Sequence, residues 1–263
     1  MRKYWRIIWI SLKNSYTRDK MIPGYVISGL LFQIFEILVT IVFFNVIFNS
    51  TESLAGWNFY QILFLYAFSK IIIGVHSLFT KKGIQSITSE QIRYGQLDFY
   101  LTKPVNPMIL VTISQPRFYY AFNILLYIGV TIFSIIKSGI AIGAMNVFWL
   151  LFLFVISIVL YYFLQVITVI PTFWFIKLWS LQDLMGKLNG FMRYPMNIFP
   201  SFLKIAFFIA FPVMATSYIP AVSLFYAPRA SSIMFMIGIT VVFYFITNWL
   251  WKLGLKNYAS ASS

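Results

Sequence analysis

The chain has 263 residues, of which 60% are hydrophobic and only 10% charged, with a formal net charge of +14. A soluble domain carries roughly a quarter charged residues, and a globule of this length leaves too much surface wet to hide such an apolar excess, so lipid must cover it. Cysteine is absent, which excludes disulfides and thiolate metal sites, and the cations flank apolar runs rather than forming one basic face, which argues against nucleic acid.

Residues 1–20 read as an amphipathic helix lying on the membrane surface. Trp5, Ile8, Trp9, Leu12 and Tyr16 recur at helical spacing, with Arg2, Arg6, Lys13, Thr17 and Lys20 on the other side. The interspersed charges argue against a cleavable signal peptide. Residues 21–263 form one transmembrane domain. A first span is expected over Met21 to Ile47, entered at Pro23-Gly24, with Gln33 and Glu36 on one face. A second covers Phe59 to Phe79 and holds Lys70 and His76. With antiparallel neighbours, Glu36 and Lys70 fall at similar depth, so an ion pair that sets helix register is expected, a substrate or proton relay being the alternative.

The longest polar stretch follows, over residues 80–116, with Lys81, Lys82, Arg93 and Lys103. Spans three and four are expected over Phe118 to Ile136 and Val147 to Ile170, and a last one over Ile233 to Trp251. Two readings remain for the fifth. Hydropathy selects 202–221, which Pro212 and Pro220 interrupt. The stretch 173–194 is helix-like but carries Lys177, Asp183, Lys187 and Arg193, with Asp183 and Lys187 spaced to satisfy each other. Either way there are six crossings. With both termini in the cytosol, the N-terminal helix, the 80–116 loop and the C-terminal tail hold most cations on the inner side of a plasma (inner) membrane.

Catalytic material is sparse. There is one histidine, no metal-spaced acid pair and no phosphate loop, so neither a catalytic site nor a metal or cofactor is expected in the chain.

The run Ile92-Arg93-Tyr94-Gly95-Gln96-Leu97-Asp98-Phe99-Tyr100-Leu101-Thr102-Lys103-Pro104 resembles the cytosolic signature of ABC-2 type transporter permeases, especially a branch of about 260 residues. Arg193-Tyr194-Pro195, Ile219-Pro220-Ala221 and Tyr258-Ala259-Ser260-Ala261 resemble that branch too, so the likeness covers nearly the whole chain. It implies an all-α, type V exporter-like permease of six spans, with span five at 173–194 and a re-entrant hairpin over 195–228. It also implies a coupling helix at about 84–94, stopped by Gly95, that docks on a separate cytosolic ATP-binding subunit holding ATP and Mg. Ile84, Ile87, Glu90, Ile92, Arg93, Gly95, Leu97, Asp98 and Pro104 would form that coupling element, Glu90 and Arg93 presenting charge and Asp98 capping the next turn. The family works as dimers, so an identical or homologous second permease is implied beside membrane lipids, and the cargo would be amphipathic or lipidic. The rival functions are a multispan enzyme acting on lipids, which calls for clustered acids or histidines, and a non-transporting anchor or immunity protein.

Overall fold

The computed structural model describes residues 2–87, 95–175, 179–226 and 228–258, whose regular elements are all helices, with no β-strand among them. In chain order the helices are α1 (Arg2–Met21), α2 (Pro23–Ser50), α3 (Phe59–Phe79), α4 (Lys81–Ser86), α5 (Leu97–Leu101), α6 (Pro107–Ile113), α7 (Tyr120–Lys137), α8 (Ala144–Val169), α9 (Trp179–Leu188), α10 (Ser201–Ile205), α11 (Val213–Phe225) and α12 (Ala230–Asn257).

Among the described residues five helices are long and apolar enough to cross a bilayer: α2, α3, α7, α8 with its 3-10 extension to Phe173, and α12. They play different parts. Helix α3 is apolar nearly all round and lies at the centre, with Ile62 to Ala67 all but inaccessible. Gly74 lets α7 close in, since a Cβ there would stand 2.8 Å from Ile124 Cγ1. Helix α2 is peripheral. It buries only Ile37, Thr40 and Phe44, while Leu31, Phe35, Leu38, Val42 and Val46 face outward as lipid-facing side chains do.

Two helix starts are capped by their own side chains. Asn58 and Gln61 make a reciprocal capping box on α3, with bonds of 2.9 and 2.8 Å. Asn106 accepts from the N–H groups of Met108 and Ile109 to start α6, and Pro107 fills its first position. Helix α7 has no cap of its own. Its entrance is instead capped from α1: Ser15 Oγ accepts from Phe118 N at 2.8 Å and Asp19 Oδ2 from Tyr119 N at 3.0 Å. Asp19 thereby sets its carboxylate at the positive end of the α7 dipole. Arg18 adds a bond to the carbonyl of Pro116, and Asn106 N–H donates to Tyr4 Oη.

Helix α1 therefore has three faces where two were expected. Trp5, Trp9 and Tyr16 stay exposed, as for a membrane-surface helix, but Ile8 and Leu12 are half-buried and a polar stripe through Ser15 and Asp19 locks onto the protein.

Neither rendering of the fifth span is a straight helix. Over 173–194 the described pieces are the 3-10 turn Ile170–Phe173, α9 and the 3-10 turn Asn189–Arg193. Over 202–221, Ser201–Ile209 and Val213–Phe225 meet at 99°, through a π-helical turn at Ala206–Ala210 and Pro212. Proline cannot donate to the helix ladder, and a π turn already widens it, so the chain bends here. Counting that bent pair as one crossing gives six. Helix α11 packs along α8 and α3, and Ser217 Oγ donates to the Met192 carbonyl at 2.8 Å, stitching it to the turn after α9.

Backbone approaches backbone closely at Gly83, where a Cβ would sit 2.2 Å from the Thr112 carbonyl oxygen as α4 crosses α6. Gly83→Ala is expected to destabilise the protein by about 1–3 kcal/mol through overpacking, read as a lower thermal unfolding midpoint in detergent. Gly129→Ala, with nothing within 4 Å of its new Cβ, leaves the midpoint unchanged or raises it.

Candidate functional site: a polar node and a polar loop

Glu36 and Lys70 meet as the sequence leads one to expect: Lys70 Nζ donates to Glu36 Oε1 in a contact ion pair about a fifth to a quarter exposed. The pair belongs to a larger node. Tyr127 Oη, from α7, donates to Gln33 Oε1 at 2.7 Å and lies 3.4 Å from both Glu36 Oε2 and Tyr66 Oη. Lys70 and the Arg193 guanidinium both lie over the Tyr66 ring, at 5.7 and 5.9 Å from its centre. One carboxylate, two cations and two phenols thus tie α2, α3, α7 and the turn after α9 together at the depth where each alone is most costly. Tyr66 and Tyr127 are invisible to a charge-based reading. Their signal is a hydroxyl in the middle of an otherwise apolar run.

Asp183 and Lys187 do not satisfy each other. Both are exposed on α9, and neither is in an ion pair among the described residues. The four-residue spacing brings side chains to one face but does not close them at ion-pair distance. His76 is a packing residue: it is buried, shares a 2.7 Å hydrogen bond between Nδ1 and Thr80 Oγ1, and meets the edge of Tyr161 at 5.2 Å.

The 80–116 loop sits at the same end of the bundle as both chain ends, through the α1 contacts above and through Tyr258. Of the expected coupling residues, Ile84, Ile87 and Leu97 are buried in this chain's own core, so they anchor the loop rather than offer a surface. Gly95 adopts φ +68°, the left-handed conformation of a helix stop, and Pro104 is exposed beside Phe99 and Lys103. Glu90, Ile92 and Arg93, with most of the expected helix over 84–94, lie outside the described residues. Asp98 is not a cap. It occupies the first turn of α5 after Gln96, and its carboxylate lies beside Tyr258. Burial, with that carboxylate adjacent, pushes the Tyr258 phenol up to about 12.

Tyr258 belongs to a clasp that sequence reasoning missed. Trp251, Gly254 and Tyr258 share one face at the end of α12, and the Phe173 ring seats between them. Its centre is 5.3 Å from the Trp251 ring and 6.4 Å from the Tyr258 ring, and a Cβ on Gly254 would come within 2.5 Å of it. The end of the fourth span, the last helix and the signature turn are joined at one point.

Removing one partner of the ion pair leaves the other charge unmatched at membrane depth. Glu36→Gln and Lys70→Met are each expected to cost about 2–3 kcal/mol, and the double variant to recover most of the loss. Thermal unfolding of the four proteins in one detergent tests this, and simple additivity of the two losses would show that the charges are not coupled.

The family profile described as an ABC-2 family transporter protein matches residues 34–262, from the helix carrying Glu36 to the C-terminal tail. No curated protein matches the chain. With a match over most of its length and apolar spanning helices to fit, the chain belongs to the ABC-2 family of transporter proteins, as a membrane-spanning permease subunit.

Proposed function

We propose that this permease is half of the membrane unit of an exporter for an amphipathic or lipidic substrate, driven through the 80–116 loop by a separate cytosolic ATPase that holds ATP and Mg. The observation that carries this reading is the two-sided build of the loop. Its inner side is fixed to the bundle by Ile84, Leu97 and the Gly83 crossing, while Phe99, Lys103 and Pro104 face outward. A push on the outer side reaches α1 through Asn106 and Tyr4, and α12 through Asp98 and Tyr258. Attachment both to a span and to the surface helix is what a rocking mechanism requires of its input element.

Cation placement supports an orientation with both termini and this loop in the cytosol of a plasma (inner) membrane. Arg6, Lys13, Arg18, Lys81, Lys82, Lys103, Arg117, Lys252 and Lys256 all belong to segments at that one end. The bent pair after α9 suits a re-entrant hairpin over 195–228, since non-straight backbone at membrane depth is tolerated where protein covers it. A second permease, identical or homologous, would complete the unit, and Asp183 and Lys187 on α9 are exposed charges that form no ion pair among the described residues.

Purification of the tagged chain in mild detergent is expected to bring down an ATP-binding subunit in equal amount. Gly95→Ala, Asp98→Ala and Pro104→Ala are expected to keep that subunit bound but reduce the permease's effect on its ATP hydrolysis about tenfold. If the three variants stimulate hydrolysis like the parent, the coupling assignment is wrong. If no ATP-binding subunit is recovered even after crosslinking, the transport reading itself fails.

A further inference from the structure

At the end of the bundle away from the termini, two neighbouring hollows of about 480 and 530 Å³ share the wall residues Asn197, Tyr218 and Val222. Each is in the size range of ligand sites. The first lies between the bent pair and α12, floored by Phe208 and Phe235, whose rings stand 5.3 Å apart. Its mouth is flanked by the exposed side chains of Ile205 and Ile209, which places the opening toward lipid. The second is walled by Trp57, Tyr218 and Tyr226, with ring centres 5.7 and 5.9 Å from that of Trp57. One hollow is greasy, the other aromatic and polar.

Each hollow also holds one cation, Lys204 in the first and Arg229 in the second. No carboxylate lines either one, and neither cation forms an ion pair among the described residues. Lys204 is half-buried among apolar side chains of the bent pair. An ammonium in such a place is costly unless an anion answers it. By contrast, Lys70, between α2 and α3, is given Glu36 as its partner, and the Arg193 guanidinium at least lies over the Tyr66 ring. Asn197, common to both walls, lies beside the Tyr218 hydroxyl, so neutral hydrogen-bonding groups stand between the two positive charges.

We propose that the joined hollows bind a phosphate-headed amphiphile drawn from the bilayer. Its apolar chain lies along Phe208 and Phe235, and its anionic head sits between Lys204 and Arg229 against Asn197. Low dielectric around Lys204 strengthens the attraction, and the lipid-facing mouth lets a chain enter sideways without leaving the membrane. If the transport reading above holds, this names the cargo class as anionic amphiphiles and the groove as a place they occupy on the side remote from the ATPase.

The test uses the full chain in phosphatidylcholine nanodiscs and radiolabelled dodecyl phosphate, against empty discs. Retention above empty discs is expected, with preference over dodecyl phosphocholine and no displacement by inorganic phosphate at equal concentration. Lys204→Gln is expected to weaken retention about tenfold, Arg229→Gln by a smaller factor, and Lys204→Arg to keep it, with thermal midpoints close to the parent's. Retention unaffected by Lys204→Gln, equal competition by the phosphocholine, displacement by free phosphate, or no retention because a second copy fills the groove would each overturn the site. The outcome is separable from the transport reading. A chain that recruits its ATPase but retains no dodecyl phosphate loses this site alone, and one that retains it without ever recruiting an ATPase keeps the site and loses the exporter.

Discussion

The hydrocarbon core of a bilayer cannot hydrogen-bond to a peptide group, and most of this architecture follows from that. Within a span the helix solves the problem for itself, but each end exposes four N–H or four C=O groups. Asn58 with Gln61 and Asn106 settle two entrances locally. Asn146 reaches from the start of α8 to the carbonyl of Leu224 at the end of α11, at 2.9 Å. Ser15 and Asp19 reach from α1 to the start of α7. Where the helix-end bonds cross between elements, they also fix how the elements sit, so solvation of the backbone and assembly of the bundle are one process.

The same economy of polar groups shapes the interior. A lone carboxylate or ammonium at depth is unfavourable by several times the thermal energy, yet Glu36 and Lys70 together hold three helices through Tyr127 and Gln33. The node specifies register where apolar side chains would slide, because Leu, Ile and Phe on α2 offer neighbouring turns nearly equal packing. It also explains why so peripheral a helix as α2, with most of its surface in lipid, holds a defined position.

Much of this was legible in the residues. Span positions followed from hydropathy, the Glu36–Lys70 pair from depth matching, and the left-handed backbone at Gly95 from its residue type. The Asp183–Lys187 pair was misread and the Asp98–Tyr258 contact missed for one reason: local spacing says which side chains can meet on one element, and both cases turned on what lies off it. Asp98 faces Tyr258 at the far end of the chain, and Asp183 and Lys187 face outward from the chain altogether. The bent pair was half-legible. Pro212 marks the break, but its 99° angle depends on a π turn that no residue in Ala206–Ala210 announces. The Phe173 clasp was hidden because Gly254 reads as an ordinary glycine in a helix until a ring is found lying on it.

That clasp also bears on how the protein is made. A membrane chain is threaded into the bilayer from its N-terminus, and the Asp98 turn is synthesised long before the residues that complete its seat. Trp251, Gly254 and Tyr258 arrive only with the last span. A chain truncated or stalled before that span would carry the signature turn without its support from α12, and an ATP-binding subunit would meet a loose element rather than a firm one. Residues of the last helix thus complete the packing around a turn made much earlier in the chain.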